Sequence, residues 1–164
     1  MSGCLSTNAV TVEGVLYWSY GISNTSLLRS PDAYPETRGR LQARMEDLRV
    51  EAAIVQRVIN CEVRHDHLRS IIEAKYGERP SAVWKCAELL RMSAKTQKVE
   101  TLVLIVEDYC EFRKMKDREI MSHLKYGMGK SRETKNRYQG ILSGWHDMAI
   151  CVIGECFRER GWVE

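Results

Sequence analysis

The chain has 164 residues, of which 44% are hydrophobic, 29% are charged and three are proline. This composition fits a globular protein and excludes collagen-like and low-complexity chains. The formal net charge of +3 is too small to indicate a nucleic-acid-binding protein by itself. Apolar runs are far shorter than the roughly 20 residues of a membrane span, and no basic stretch precedes an apolar one at the N-terminus. We therefore expect no membrane partner and a cytoplasmic location.

The first 37 residues differ from the rest of the chain. They contain two of the three prolines, many small polar residues and the aromatic cluster Tyr17, Trp18 and Tyr20. This composition predicts an irregular N-terminal arm with one short helix around residues 10–20. From residue 38 to residue 60 the apolar residues recur at alternating steps of four and three, which indicates an amphipathic helix. These apolar residues are Leu41, Met45, Leu48, Ala52, Val55 and Ile59.

Three more helices are predicted between residues 66 and 113. One begins at Asp66 as its cap and ends at Gly77. A short one covers residues 81–90, directly after Pro80. The segment Ser93–Thr96 has the residue types of a helix cap and precedes a long helix. The apolar stripe of that helix consists of Val99, Leu102, Val103, Val106 and Cys110.

The same order of elements recurs after residue 116. A short helix is predicted from Asp117 to Lys125, followed by a glycine-containing turn over residues 126–130 and a long helix that opens at Ser131. The stripe of the long helix is Tyr138, Leu142, Trp145, Ala149, Val152 and Cys156. Almost no segment alternates as a strand would.

The predicted fold is therefore all-α. We expect a compact multi-helix domain with one or two helix-turn-helix units and an irregular N-terminal arm. The expected segments are the arm at 1–37, a helical domain at 38–113 with the first helix-turn-helix candidate, and a basic region at 114–164. That last region holds the second candidate and the long C-terminal helix.

The sequence offers little support for metal or catalytic chemistry. Its six cysteines are scattered without a Cys-x2-Cys pair, which predicts reduced thiols that pack as small hydrophobic side chains. The nearest group of metal-ligand types is Cys61, His65 and His67, and whether it binds a metal stays open. Phosphate-binding loops, nucleophile elbows and His-Glu-x-x-His motifs are missing from the sequence. We expect no enzyme activity and no cofactor.

The mild total charge hides a basic segment. Residues 113–138 contain nine basic and three acidic side chains, a net charge of +6, and the rest of the chain has 16 basic and 19 acidic side chains, a net charge of −3. The basic side chains are Arg113, Lys114, Lys116, Arg118, Lys125, Lys130, Arg132, Lys135 and Arg137. A cluster of this kind at the opening of a helix is suited to contact phosphates.

In a helix-turn-helix motif the first turns of the second helix enter the major groove. The side chains there must be polar, and Arg suits guanine whereas Asn and Gln suit adenine. Both candidates satisfy this requirement. The first would bind DNA through Lys95, Thr96, Gln97 and Lys98. The second would do so through Lys130, Arg132, Lys135, Asn136, Arg137 and Gln139. The sequence does not decide between them.

The order of features resembles the Q-type late-gene antitermination proteins of lambdoid phages. The resemblance is carried by Tyr17-Trp18-Ser19-Tyr20, by the segment 50–55, by the segment 67–76 ending in Tyr76, and by residues 82–112 with Ser93-Ala94-Lys95-Thr96 at the turn. That last segment is similar to the helix-turn-helix of sigma factor region four. The resemblance implies a phage or prophage regulator in a bacterial host cell that binds double-stranded DNA and the host RNA polymerase, allowing readthrough of terminators.

A second hypothesis comes from a different class of protein. A helical protein-interaction module, such as a phage inhibitor of a host factor, would use the same basic patch to bind an acidic partner. The two hypotheses differ in their consequences, because sequence-specific DNA binding weakens steeply with salt and distinguishes one duplex from bulk DNA.

Overall fold

The computed structural model describes Leu5 and residues 11–24, 35–94 and 97–163, with side chains at all of these except 24, 35–43 and 94. Within these ranges the chain forms seven helices and no strand, so the predicted all-α fold is confirmed. The helices are α1 (Val12–Asn24), α2 (Pro35–Glu62), α3 (Asp66–Gly77), α4 (Pro80–Ala94), α5 (Val99–Tyr109), α6 (Asp117–Leu124) and α7 (Met128–Glu159). No helix among the described residues combines the length and apolarity that a membrane crossing requires.

The chain divides into two compact units. Unit 1 comprises Met1–Val63 and Ile150–Glu164, and unit 2 comprises Arg64–Ala149. These boundaries differ from the predicted segments 1–37, 38–113 and 114–164. Helix α7 spans both units, with residues 128–149 in unit 2 and residues 150–159 in unit 1.

In unit 1, α1 packs along α2. Val15, Leu16 and Tyr20 of α1 are buried, and so are Ala52, Val55 and Ile59 of α2. The amide of Gln56 donates hydrogen bonds to the Ser19 carbonyl at 3.2 Å and to the Ser23 hydroxyl at 2.8 Å. Three of the residues predicted as the α2 stripe are therefore core residues of the described structure.

Unit 2 is built from α3, α4 and α5, which pack in chain order, together with α6 and the first part of α7. Its core includes Ile71, Leu90, Leu102, Ile105, Tyr138 and Leu142, each at most 1% exposed. One polar pair lies inside it, where the Tyr76 hydroxyl is 2.9 Å from Nε2 of His146. Burying these polar atoms costs little because each has a partner.

Several predicted helix boundaries are wrong by a few residues. Asp66 is the first residue of α3 instead of its cap, and the left-handed residue that closes α3 is Glu78, at φ 50°, instead of Gly77. Ser93 lies inside α4, where its hydroxyl donates to the Leu89 carbonyl at 3.3 Å. Helix α5 begins only after Lys98. A serine hydroxyl that bonds back to the preceding turn of its own helix is engaged there and does not cap the next helix.

The long C-terminal helix also begins earlier than predicted. It starts at Met128, and Ser131 lies within its first turns as a fully buried residue. The Ser131 hydroxyl donates to the Tyr126 carbonyl at 3.1 Å, and its backbone N–H donates to the Gly127 carbonyl at 2.9 Å. The connection between α6 and α7 is therefore only three residues long, from 125 to 127.

Candidate nucleic-acid interface

The first helix-turn-helix candidate contains a helix that is largely buried. In α5, all of which the structure describes, Thr101, Leu102, Val103, Ile105 and Val106 are buried and only Glu100 is exposed. A helix can enter a DNA groove only where its surface is free of its own protein. Apart from Glu100, the exposed polar side chains that this candidate can offer to a ligand are therefore those just before α5 begins.

Two of the four predicted residues before α5 are described. Gln97 is partly exposed and Lys98 is exposed, whereas Lys95 and Thr96 lie outside the described residues. Gln97 and Lys98 line an open groove of about 550 Å³ whose other wall is formed by the end of α6 and by Lys125 and Tyr126. The start of α5 and the turn before α7 therefore face the same groove in unit 2.

The second candidate has the connection length that a helix-turn-helix requires. The three-residue turn begins with Lys125 in the left-handed conformation, at φ 56°, and its N–H donates to the Met121 carbonyl at 2.9 Å. Turns of three to four residues are typical of the motif. Both helices are anchored in the core by buried side chains. These are Ile120 and Leu124 in α6, and Ser131 and Tyr138 in the first part of α7.

The first three turns of α7, Met128–Arg137, present polar side chains on the side away from the core. We call this segment the α7 opening. Lys130, Asn136 and Arg137 are exposed. The Lys130 ammonium lies 4.6 Å from the centre of the Tyr126 ring, within the range of a cation–π contact. Through Tyr126 the α7 opening is continuous with the groove that Lys98 lines.

Arg132, also predicted to bind DNA, is engaged within the protein. It forms an ion pair with Asp117 at the start of α6 through two parallel hydrogen bonds, and the distance from its Nε to Oδ1 is 3.2 Å. The hydrogen bond lowers the pKa of Asp117 and raises the pKa of Arg132. Because the two-point geometry occupies one edge of the guanidinium, Arg132 cannot offer that edge to guanine while Asp117 holds it.

Lys135 and Gln139 are also engaged, both with one carboxylate. Asp108 accepts hydrogen bonds from Lys135 Nζ at 2.6 Å, from Gln139 Nε2 at 2.6 Å and from the Met115 N–H at 2.7 Å. We call these four residues the Asp108 cluster. Only 9% of the Asp108 side chain and 15% of the Lys135 side chain is exposed.

The Asp108 cluster stabilises the negative charge of its carboxylate. Burial by itself raises the pKa of Asp108, but the hydrogen bonds from Lys135, Met115 and Gln139 outweigh burial, and the pKa lies below its ordinary value. The cluster fastens the connection between α5 and α6 to α7, because Met115 is in that connection. Sequence analysis missed Asp108 because no motif links it to Lys135, 27 positions later.

Six basic side chains of the charged segment are exposed and form no ion pair with any described residue. They are Lys114, Lys116, Arg118, Lys125, Lys130 and Arg137. Arg113 pairs with Glu119. The positive charge of residues 113–138 is thus partly neutralised inside the protein, and the remainder is available at the surface.

The remaining candidate metal ligands are the histidines and the cysteines. The described parts of the chain contain no group of three His, Cys, Asp or Glu side chains placed to hold a metal ion. The rings of His65 and His67 are 5.5 Å apart, and His67 lies 5.0 Å from Trp145. The five described cysteines are free, and burial raises the pKa of the Cys86 and Cys110 thiols to about 12. Cys61 and Cys151 are exposed instead of packed in the core.

Comparison with known proteins adds no relative. No protein-family model, protein of known function or solved structure matches the chain.

Proposed function

We propose that this protein binds double-stranded DNA through the α7 opening and acts as a phage or prophage transcription regulator. The observation that carries the DNA-binding proposal is the combination of a three-residue turn with exposed Lys130, Asn136 and Arg137 in the first turns of the following helix. Lysine and arginine supply phosphate contacts, and the asparagine amide suits adenine.

The contacts within unit 2 narrow the set of DNA-binding residues. Lys135 and Gln139 support the structure through Asp108, so we assign them positioning roles. Arg132 is held by Asp117. Asn136 is then the exposed predicted residue with a side-chain amide, and we propose that it contacts bases. Lys98 and Lys125 extend the positive surface across the groove and would contact phosphates.

The more specific role, antitermination with host RNA polymerase as partner, is supported by the resemblance to Q-type proteins alone. It is tested in transcription by bacterial RNA polymerase on a template with a promoter-proximal pause and a downstream terminator. The protein should raise the fraction of transcripts that pass the terminator, and it should do so only on templates that contain its DNA site. Equal readthrough with and without the protein on such a template would contradict this role.

The DNA-binding proposal is tested by selection from a pool of randomised duplexes, followed by fluorescence anisotropy with a selected duplex and an unselected one. We expect a selected sequence to emerge and Lys130→Ala combined with Arg137→Ala to weaken binding to both duplexes. If each residue contacts one phosphate, the slope of log affinity against log salt should fall in magnitude by about two. The variant Asn136→Ala should instead weaken binding to the selected duplex only.

The matched control removes two exposed basic side chains elsewhere in unit 2, through Arg64→Ala combined with Lys85→Ala. It changes the net charge equally and should leave affinity nearly unchanged. Equal losses in the two double variants would mean that overall charge and not the α7 opening attracts the DNA. Selection that enriches no sequence would favour the alternative, a module that binds an acidic protein.

A further inference from the structure

The outward face of α2 carries an apolar strip that the described residues leave exposed. The core face of this helix, centred on Ala52, packs in unit 1. On the opposite face, Val50 is 61% exposed and Ile54 is 49% exposed. Successive residues of a helix are about 100° apart, which places these two side chains roughly 160° from Ala52. They therefore cannot contribute to the core that Ala52 occupies.

Two charged residues flank this strip. Asp47 precedes Val50 by three positions, Arg57 follows Ile54 by three positions, and both are exposed. Neither forms an ion pair with a described residue. The steps of three, four and three between these four residues are the a and d spacing of a coiled coil. The four side chains share one face of α2, which we call the α2 seam.

The α2 seam is symmetric in position and complementary in charge. Positions 47 and 57 lie at equal distances from position 52, and so do positions 50 and 54. If a second copy of α2 lies antiparallel across the seam, Asp47 of each copy faces Arg57 of the other, and Val50 faces Ile54. A two-fold interface requires this self-complementarity. A parallel arrangement would place Asp47 against Asp47 and Arg57 against Arg57.

We propose that the protein forms a two-fold homodimer in which the α2 seams of two copies pack antiparallel. The inference is independent of DNA binding. The four seam residues span about 15 Å of helix, which makes the contact smaller than the roughly 1,200–2,000 Å² of stable interfaces. The dimer is accordingly weak, and the fraction of the protein that is dimeric rises with protein concentration.

The charges of the seam provide the test, by sedimentation velocity over a series of concentrations. The wild-type protein should shift from monomer to dimer as its concentration rises. Asp47→Arg and Arg57→Asp should each weaken self-association by at least about tenfold, because each places like charges opposite one another. A mixture of the two variants should dimerise again, because both of its ion pairs are complementary.

The double variant Asp47→Arg with Arg57→Asp reverses both pairs and should dimerise like the wild type. A parallel arrangement would instead let the two single variants dimerise like the wild type, because each of them keeps like charges opposite one another. Glu155→Arg, an exposed site on α7, is the control and should not alter association. Circular dichroism of each variant verifies that the helix content of the protein is unchanged. A wild-type protein that stays monomeric throughout, or single variants that dimerise like the wild type, would overturn the proposal. So would a double variant or a mixture that stays monomeric.

Discussion

The openings of α5 and α7 are the two places in unit 2 where a basic segment leads into a long helix. The α5 opening, by which we mean residues 95–98, leads into a helix whose residues 101–106 are buried except for the partly exposed Leu104. The α7 opening follows a three-residue connection and keeps Lys130, Asn136 and Arg137 at the surface. Similar residue types before a helix therefore lead to two different environments.

The difference shows that the face turned toward solvent decides whether a helix can contact DNA. Both openings have the basic and amide side chains that suit DNA, but residues 101–103, 105 and 106 of α5 are buried in the core of unit 2. Within the α7 opening only Ser131 is buried, and the next buried residue of the helix is Tyr138, directly after the opening. A helix can combine support and binding when its buried positions form one narrow stripe.

The largest effect we expect from this contrast concerns stability. Leu102 of α5 is fully buried, and Leu102→Ala should lower the free energy of unfolding by about 3 kcal/mol because it removes packed methyl groups and leaves a cavity. Urea denaturation followed by circular dichroism measures this change. Asn136→Ala in the exposed α7 opening should change it by less than about 0.5 kcal/mol.

A second alanine variant on α5 sharpens the result. Leu104 is partly exposed, so Leu104→Ala should cost clearly less than Leu102→Ala. Equal and small losses for the two leucines would mean that α5 is not a core helix. The α5 opening would then be as suitable for binding as the α7 opening, and the contrast would fail.

A smaller effect is expected from the Asp108 cluster, which supports α7 behind its opening. Asp108→Asn should cost about 2 kcal/mol at neutral pH, because an amide N–H₂ replaces an acceptor for the Lys135 and Gln139 donors. Because the pKa of Asp108 is lowered in the folded state, its carboxylate stabilises the fold fully at pH values above the ordinary pKa of an aspartate, about 4. This stabilisation is lost as the pH falls through the lower value of the folded state.

The free energies of unfolding of the wild type and of Asp108→Asn should therefore converge as the pH is lowered from 5 toward the folded pKa. Urea denaturation at several pH values measures this convergence. Asp117→Asn at the exposed pair is the control, and it should leave stability nearly unchanged. A constant difference between wild type and Asp108→Asn at all pH values would refute the role of the charged carboxylate.

The smallest effect concerns Arg132. Asp117→Asn removes one negative charge beside the α7 opening and weakens the hold on the guanidinium, so we expect about threefold tighter binding to a selected duplex at low salt. Fluorescence anisotropy measures the affinity. Weaker binding by this variant would mean that Asp117 orients Arg132 toward DNA instead of withholding it.

Sequence patterns predicted the helices well because the signal is local. The stripes that contain Ala52, Leu102 and Leu142 recur with the helical period, and all three residues are fully buried. Helix ends were predicted less well, because serine and glycine act as caps only in particular backbone conformations. Ser93 bonds within its own helix, and Glu78 takes the left-handed position instead of the neighbouring Gly77.

The sequence could not show that three of the predicted DNA-binding residues form ion pairs or hydrogen bonds within the protein. Arg132, Lys135 and Gln139 have residue types that suit DNA, yet their partners are Asp117 and Asp108, which lie 15 to 31 positions away in the chain. Such pairs form only once the helices have packed, and no periodic pattern encodes them. Exposure of Asn136 and Arg137 likewise depends on which stripe of α7 the core takes.

The left-handed backbone at Lys125 has a consequence for attempts to stabilise this protein. Glycine adopts that conformation with less strain than lysine, by about 1 kcal/mol. A selection for thermal stability alone would therefore favour Lys125→Gly and discard a cation that faces the groove. Stabilised scaffolds derived from this chain should keep Lys125 fixed and gain their stability in unit 1.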